Sequence, residues 1–131
     1  MTVRIVRLGS DRLPDEGLRI GTVRRPPRGV SKGEYASRNI YDVWLPNLAP
    51  SEALLKSAHA AIEEGTEKAW KSFVRRYRAE MKSPDARALL TTLAALSHTA
   101  DFSVGCYCAD ESRCHRSVLR ELLREHGARL A

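Results

Sequence analysis

Cysteine is scarce in this 131-residue chain, and its three copies, Cys106, Cys108 and Cys114, lie within nine positions of one another. An odd count on a chain long enough to bury a core excludes a disulfide framework as the source of stability. Separated C-x2-C pairs are missing, which removes the strong zinc-ribbon and thioredoxin-type patterns. No window approaches the roughly 18 consecutive apolar residues that span a bilayer. The opening MTVRIVRLG has neither the apolar run nor the small-residue cleavage site of a secretory leader. These absences predict a soluble protein of the reducing cytoplasm with no membrane partner. Aromatic residues are few and not interleaved with basic ones, and no named nucleic-acid motif is present.

Positive charge is in excess, with a formal net charge of +6 and a pI near 9.6. Much of it is local: Arg24, Arg25, Arg28, Lys32 and Arg38 stand against the single Glu34. Several of these cations belong to RRPPRGVSKG, whose prolines and glycines mark a loop. A basic loop suits an anionic partner and is equally compatible with a solvated surface.

Short runs rich in Val, Ile and Leu predict strands at Val3 to Leu8, here placed centrally in a sheet, at Leu18 to Val23 and at Ile40 to Leu45, the last stopped by Pro46. Helices follow. Ser51 caps one that carries Leu54, Leu55, Ala58, Ala61 and Ile62 and ends at Gly65. A second begins near Thr66 with Ala69, Trp70, Phe73, Val74, Tyr77 and Met81 as an apolar stripe, read as core. Ser83-Pro84 opens a third with Leu89, Leu90, Leu93 and Ala94 on one side. Phe102 to Cys108 alternates as a fourth strand, and a last helix carries Val118, Leu119, Leu122 and Leu123 up to Gly127. The expected fold is one α/β domain over residues 1–131, three-layered, with a small, mostly parallel sheet flanked by helices. His59 and His98 receive no role.

The segment GCYCADESRCHR admits four readings. Cys-x-Cys followed by Cys-His offers zinc-type ligands, but strand residues two apart are separated by roughly 6.5 to 7 Å, too far for Cys106 and Cys108 to share an ion while the strand stays regular. A redox pair would join Cys108 to Cys114 across the polar connection, leaving Cys106 a small buried hydrophobe. A third reading notes that the strand-to-helix junction sits at the carboxyl edge of a parallel sheet, where such folds bind ligands. There Arg113 and Arg116 would hold an oxyanion, and a thiol at Cys108 or Cys114 would be acidic and nucleophilic. His115 lies four residues before Leu119 and should face the sheet, as an acid/base group or as a core histidine bonded to a backbone carbonyl. The fourth reading is purely structural.

RRPPRGVSKG, DVWLPNLAPSEALLK and the terminal Cys-His-Arg segment together resemble the YeaO-like family, domain of unknown function 488, over about Leu18 to Glu125. The resemblance implies a single α/β domain and groups Arg28, Gly29, Cys108, Cys114, His115 and Arg116 in one site. The functional expectation is a cleft that binds, and is a candidate to process, a small phosphate-bearing or nucleotide-like anion. Cys108, Cys114 and His115 are its candidate catalytic groups, and Arg25, Arg28, Gly29, Lys32, Arg113 and Arg116 its anion-binding groups. No metal or cofactor is assigned. The alternatives are a nucleic-acid-binding module that makes phosphate contacts through the basic loop and Arg116, Arg120 and Arg124, and a thiol redox or metal-binding protein.

Overall fold

The computed structural model describes residues 1–108 and 111–131, with the backbone alone for residues 61, 62 and 111. Among these residues four parallel strands form one sheet: β1 (Val3–Arg7), β2 (Leu18–Gly21), β3 (Val43–Trp44) and β4 (Phe102–Cys106), in the order β1-β4-β2-β3. The helices are α1 (Glu52–Glu64), α2 (Glu67–Glu80), α3 (Pro84–Leu96) and α4 (His115–Glu125). The chain is an α/β protein with a small parallel sheet. None of the described helices is long and apolar enough to cross a membrane.

The central position belongs to β4, and β1, expected there, lies at the end of the sheet. The reason is visible in the side chains. All five residues of β4 are buried, as a strand paired on both sides requires, whereas β1 carries Arg4 and Arg7 and is only partly covered. The outer edge of β1 is met by the chain's last residues: Val3 N–H donates to the Arg129 carbonyl and Ala131 N–H to that of Val3. Gly105 has no side chain for a steric reason. A Cβ there would stand 2.5 Å from the Val6 carbonyl oxygen on the paired strand.

Two expected strands are shorter than their apolar runs. Only Val43–Trp44 of the Ile40 to Leu45 run pairs with β2, because Asn39 takes a left-handed φ of 61° and Tyr41 folds over Gly21 instead. The last strand stops at Cys106 rather than Cys108, with a bend at Tyr107.

Phe102, Val104, Ile20 and Val3 project from one face into a core filled by Leu54, Phe73, Tyr77, Leu90, Leu93, Leu119 and Leu123, so each of the four helices contributes to it. Helix starts follow the capping residues: Thr66 Oγ1 accepts from Ala69 N–H at 3.1 Å, and Ser83 Oγ from Ala86 N–H at 3.3 Å with Pro84 next.

The opposite face holds a buried ion pair that nothing in the residue pattern announced. Arg19, fully buried, grips Glu16 with two bonds of 2.7 and 2.8 Å and donates to the Ser10 and Asn39 carbonyls at 2.9 and 2.7 Å. Ser103 Oγ donates to the same carboxylate at 2.9 Å. These bonds fasten two connecting segments to the sheet, and every one draws on a charge removed from water. Burial by itself raises the Glu16 pKa, but Arg19, Ser103 and the Leu13 backbone outweigh it and hold the carboxyl below 4.5.

Glu16→Gln is expected to lower stability by about 3 kcal/mol at neutral pH, since it strands the Arg19 charge. Because the carboxyl is depressed in the folded state, the wild-type advantage exists at neutral pH and fades as pH falls through the folded-state value. Urea unfolding of both proteins from neutral to acid pH measures this. Equal stabilities at pH 7 would show that the pair contributes nothing.

Candidate functional site

The carboxyl edge of the sheet places the cysteine segment. Strand β4 delivers Cys106 to its buried end, the bend at Tyr107 exposes Cys108, and a single 3-10 turn at Glu111–Arg113 leads to Cys114, the N-cap of α4. Helix α4 is strongly amphipathic and buries Val118, Leu119, Leu122 and Leu123, which presses its first turn against the sheet. Cys114 therefore folds back over the strand end. Its sulfur lies 2.7 Å from that of Cys106, both buried.

Cys106, expected only as a small buried hydrophobe, is thus a direct neighbour of Cys114. The polar connection returns the chain to Cys106 because the strand has already ended there. Ala109 and Asp110, part of that connection, lie outside the described residues.

His115 faces inward as expected and is buried. Its Nε2 is 2.8 Å from the Thr22 carbonyl and its Nδ1 is 3.7 Å from Cys114 Sγ. A carbonyl only accepts, so Nε2 carries the proton and Nδ1 turns a bare lone pair toward the thiols. Burial is the main cause that drives the His115 pKa down to about 4, which leaves a neutral imidazole at pH 7. The Tyr77 ring closes the other side, edge-on at 5.6 Å between centroids.

The three thiols share protons unequally. Hydrogen bonds from the Cys106 and Cys114 thiols, helped by the positive charge of Arg116, hold Cys108 well below the ordinary thiol value against the effect of burial. Cys106 is pushed far up, first by its bond with Cys108 and then by Cys114 and burial. For Cys114 the bond with Cys106 lowers the pKa, but Cys108 and burial win and bring it to about 11. The exposed thiol is thus the one that ionises first.

Cys108, Cys114 and His115 line a cavity of about 160 Å³ between the cysteine segment and the α1–α2 junction. Leu55, Ala58, Trp70 and Phe73 make its walls apolar, and Arg113 and His59 add polarity. Arg113 is held over the Trp70 ring at 5.4 Å and ion-pairs with Glu67. Arg25 and Arg28 line a second hollow with Lys56 and Glu52, and this hollow shares Leu55 and His59 with the first. Arg25 is tied to Glu52 at 2.7 Å. Gly29 and Lys32 are exposed further along the loop and are not among the residues of these two hollows. Arg116 is buried, and its guanidinium donates to the Cys108 carbonyl at 2.6 Å. It braces Cys108 from behind.

Two wall residues carry no functional expectation from the sequence: His59 has no role assigned there, and Trp70 is expected in the core. Trp70 falls on the apolar stripe of α2, and the half-buried Trp70 and buried Phe73 of that stripe border the cavity. The donor atoms of Cys106, Cys114 and His115 all lie within 4.8 Å of one another, a spacing from which one ion is within reach of all three.

A family model described as DUF488-N3a, the active DUF488-N3 subclade, matches residues 3–127. Two uncharacterized proteins, Rv3073c of Mycobacterium tuberculosis and Mb3100c of Mycobacterium bovis, are each similar to the chain at 30% identity over 121 residues, 92% of this chain and 92% of theirs. No solved structure matches.

Differential exposure of the thiols has a direct readout. Iodoacetamide on the native, reduced protein should modify Cys108 alone, with Cys106 and Cys114 reacting only after unfolding, as peptide mass mapping will show. Native Cys114 reacting as fast as Cys108 would contradict the packing of α4 against the strand end.

Proposed function

The chain belongs to the DUF488-N3a family, and we propose that it binds a small organic anion with an apolar or aromatic body in the cavity at the cysteine segment, where Cys108 is placed to attack it. The observation that carries this reading is the joint lining of one cavity by two thiols, an imidazole and apolar walls, next to a hollow bordered by Arg25 and Arg28. Size narrows the ligand. A dry cavity of roughly 150 Å³ holds a single benzene-sized ring, so 160 Å³ accepts one ring or an equivalent aliphatic body. Trp70 offers such a body a stacking surface.

The anionic group, a carboxylate or phosphate, then extends past Leu55 and His59 toward Arg25 and Arg28. Arg113, already oriented by Glu67 and Trp70, borders the cavity itself. Cys108 is the exposed thiol on this wall and is the nucleophile of the proposal. It would form a bond to an electrophilic atom of the ligand as a leaving group departs. His115 orients the thiols through Nδ1, and its pKa of about 4 makes it a weak base at neutral pH. Free thiols fit a reducing cytoplasm.

Phosphate tracking along nucleic acid draws little support from the same surfaces. On α4, Arg116 is buried and Arg124 is paired with Glu121, so the helix does not present a run of three available cations.

An affinity label tests the reading. para-(Bromomethyl)benzoate should alkylate Cys108 with saturation kinetics, benzoate should protect, and the uncharged amide analogue should show no saturation. Arg28→Ala should weaken the saturating step about tenfold, the loss of one charge-assisted bond of about 1.5 kcal/mol, and Trp70→Ala should weaken it as well. Second-order labelling with no protection by benzoate would refute the binding site.

A further inference from the structure

We propose that Cys106, Cys114 and His115 form a binding site for one zinc-type divalent ion, whose open coordination position faces the apolar cavity. The objection raised by strand geometry concerned Cys106 with Cys108, and this site does not need that pair. It uses a cysteine from the end of β4 and the Cys-His step at the start of α4, elements brought together by the sheet and by the burial of α4.

Several independent features converge there. All three residues are buried, and their donor atoms lie within 4.8 Å of one another. The imidazole is arranged as metal-bound histidines usually are, with one ring nitrogen donating to a backbone carbonyl, here Thr22, and the other presented to the site. Two sulfurs and one nitrogen are a borderline-soft set suited to zinc, and three protein ligands with a free fourth position are the arrangement of catalytic rather than structural sites.

Charge gives a separate argument. Arg116 is 4% exposed, its Nε lacks a hydrogen-bond partner, and among the described residues no carboxylate pairs with its guanidinium. A buried cation without a counter-charge is costly. Metal binding deprotonates its thiol ligands, so an ion held here would place a thiolate at Cys114, the N-cap of α4, two residues from Arg116.

The fit requires a small movement. Tetrahedral bonds of about 2.3 Å place two sulfurs about 3.8 Å apart, so binding opens the 2.7 Å contact between Cys106 and Cys114 by about 1 Å. Cys114 and His115 border the cavity whereas Cys106 does not, which directs the fourth position outward to a water or to an anionic ligand. Cys108, on that outer wall, is not needed to hold the ion. The site is independent of the reading above: labelling by the benzoate reagent needs no metal, and metal uptake needs no organic anion.

Cobalt(II) is the probe. The reduced, chelator-treated full chain, titrated without oxygen, should take up one equivalent with a thiolate-to-cobalt charge-transfer band in the near ultraviolet and the strong red absorption of tetrahedral cobalt. Zinc should displace it. Cys106→Ser and Cys114→Ser should each lose stoichiometric uptake, His115→Gln should weaken it roughly tenfold or more, and Cys108→Ser should retain one equivalent. Circular dichroism of each variant reports folding, and if a serine variant unfolds, His115→Gln and Cys108→Ser decide. A wild type with no charge-transfer band, or uptake undiminished in folded Cys114→Ser and His115→Gln, would overturn the site. Loss of uptake in Cys108→Ser would overturn the open position.

Discussion

Parallel pairing of β4 on both its edges, with β1 on one side and β2 on the other, is the constraint on which the rest of the structure depends. Strands β1 and β2 are joined through β4, and without it the two connecting segments held by Glu16 and Arg19 lose the surface they cover. The same pairing sets the depth of Cys106, which is carried to the sheet's carboxyl edge with its sulfur already out of solvent. Helix α4 then has one place to go, because its apolar stripe fits only against the core exposed beside that strand. The thiol–imidazole cluster is thus a by-product of how the sheet is completed.

Much of this was legible in the residues. Apolar spacing and caps located every helix among the described residues, since Thr66, Ser83-Pro84, Gly65 and Gly127 act within a turn of themselves and need no tertiary help. The inward-facing His115 followed from helical period. Sheet order did not: the apolar residues of Val3 to Arg7 suggested a central strand, although Arg4 and Arg7 suit an edge and the uncharged Phe102 to Cys106 suits the middle. The Arg19–Glu16 pair was hidden for a related reason: an arginine in a short strand is read as exposed until a carboxylate from a neighbouring turn is known to meet it. The contact of Cys106 with Cys114 depends on the strand ending two residues early, and strand ends are set by pairing rather than composition.

Charge in the folded chain is more local than its total suggests. Arg4, Arg12, Arg25, Arg78, Arg113 and Arg124 are each matched by a carboxylate on the surface, so the excess of +6 is spread and partly screened. Around the thiols the balance is different. Arg116 is enclosed, the imidazole is neutral, and three thiols stand close by. The chemistry of this edge is governed by that enclosure and little by the basic character of the protein as a whole.

The position of β4 in the chain gives the sheet a temporal order. A ribosome delivers β1, β2, β3 and the first three helices before the strand that belongs in the middle, so the emerging polypeptide holds two unsatisfied strand edges with a gap between them until residues 102–106 arrive. Open edges of that kind invite pairing with other chains. Sulfur is also the last functional element to be made, and each cysteine meets the solvent and its oxidants before the sheet closes. Any ion captured during that interval would help draw α4 onto the strand, which would couple the protein's final folding step to the supply of metal at the moment of synthesis.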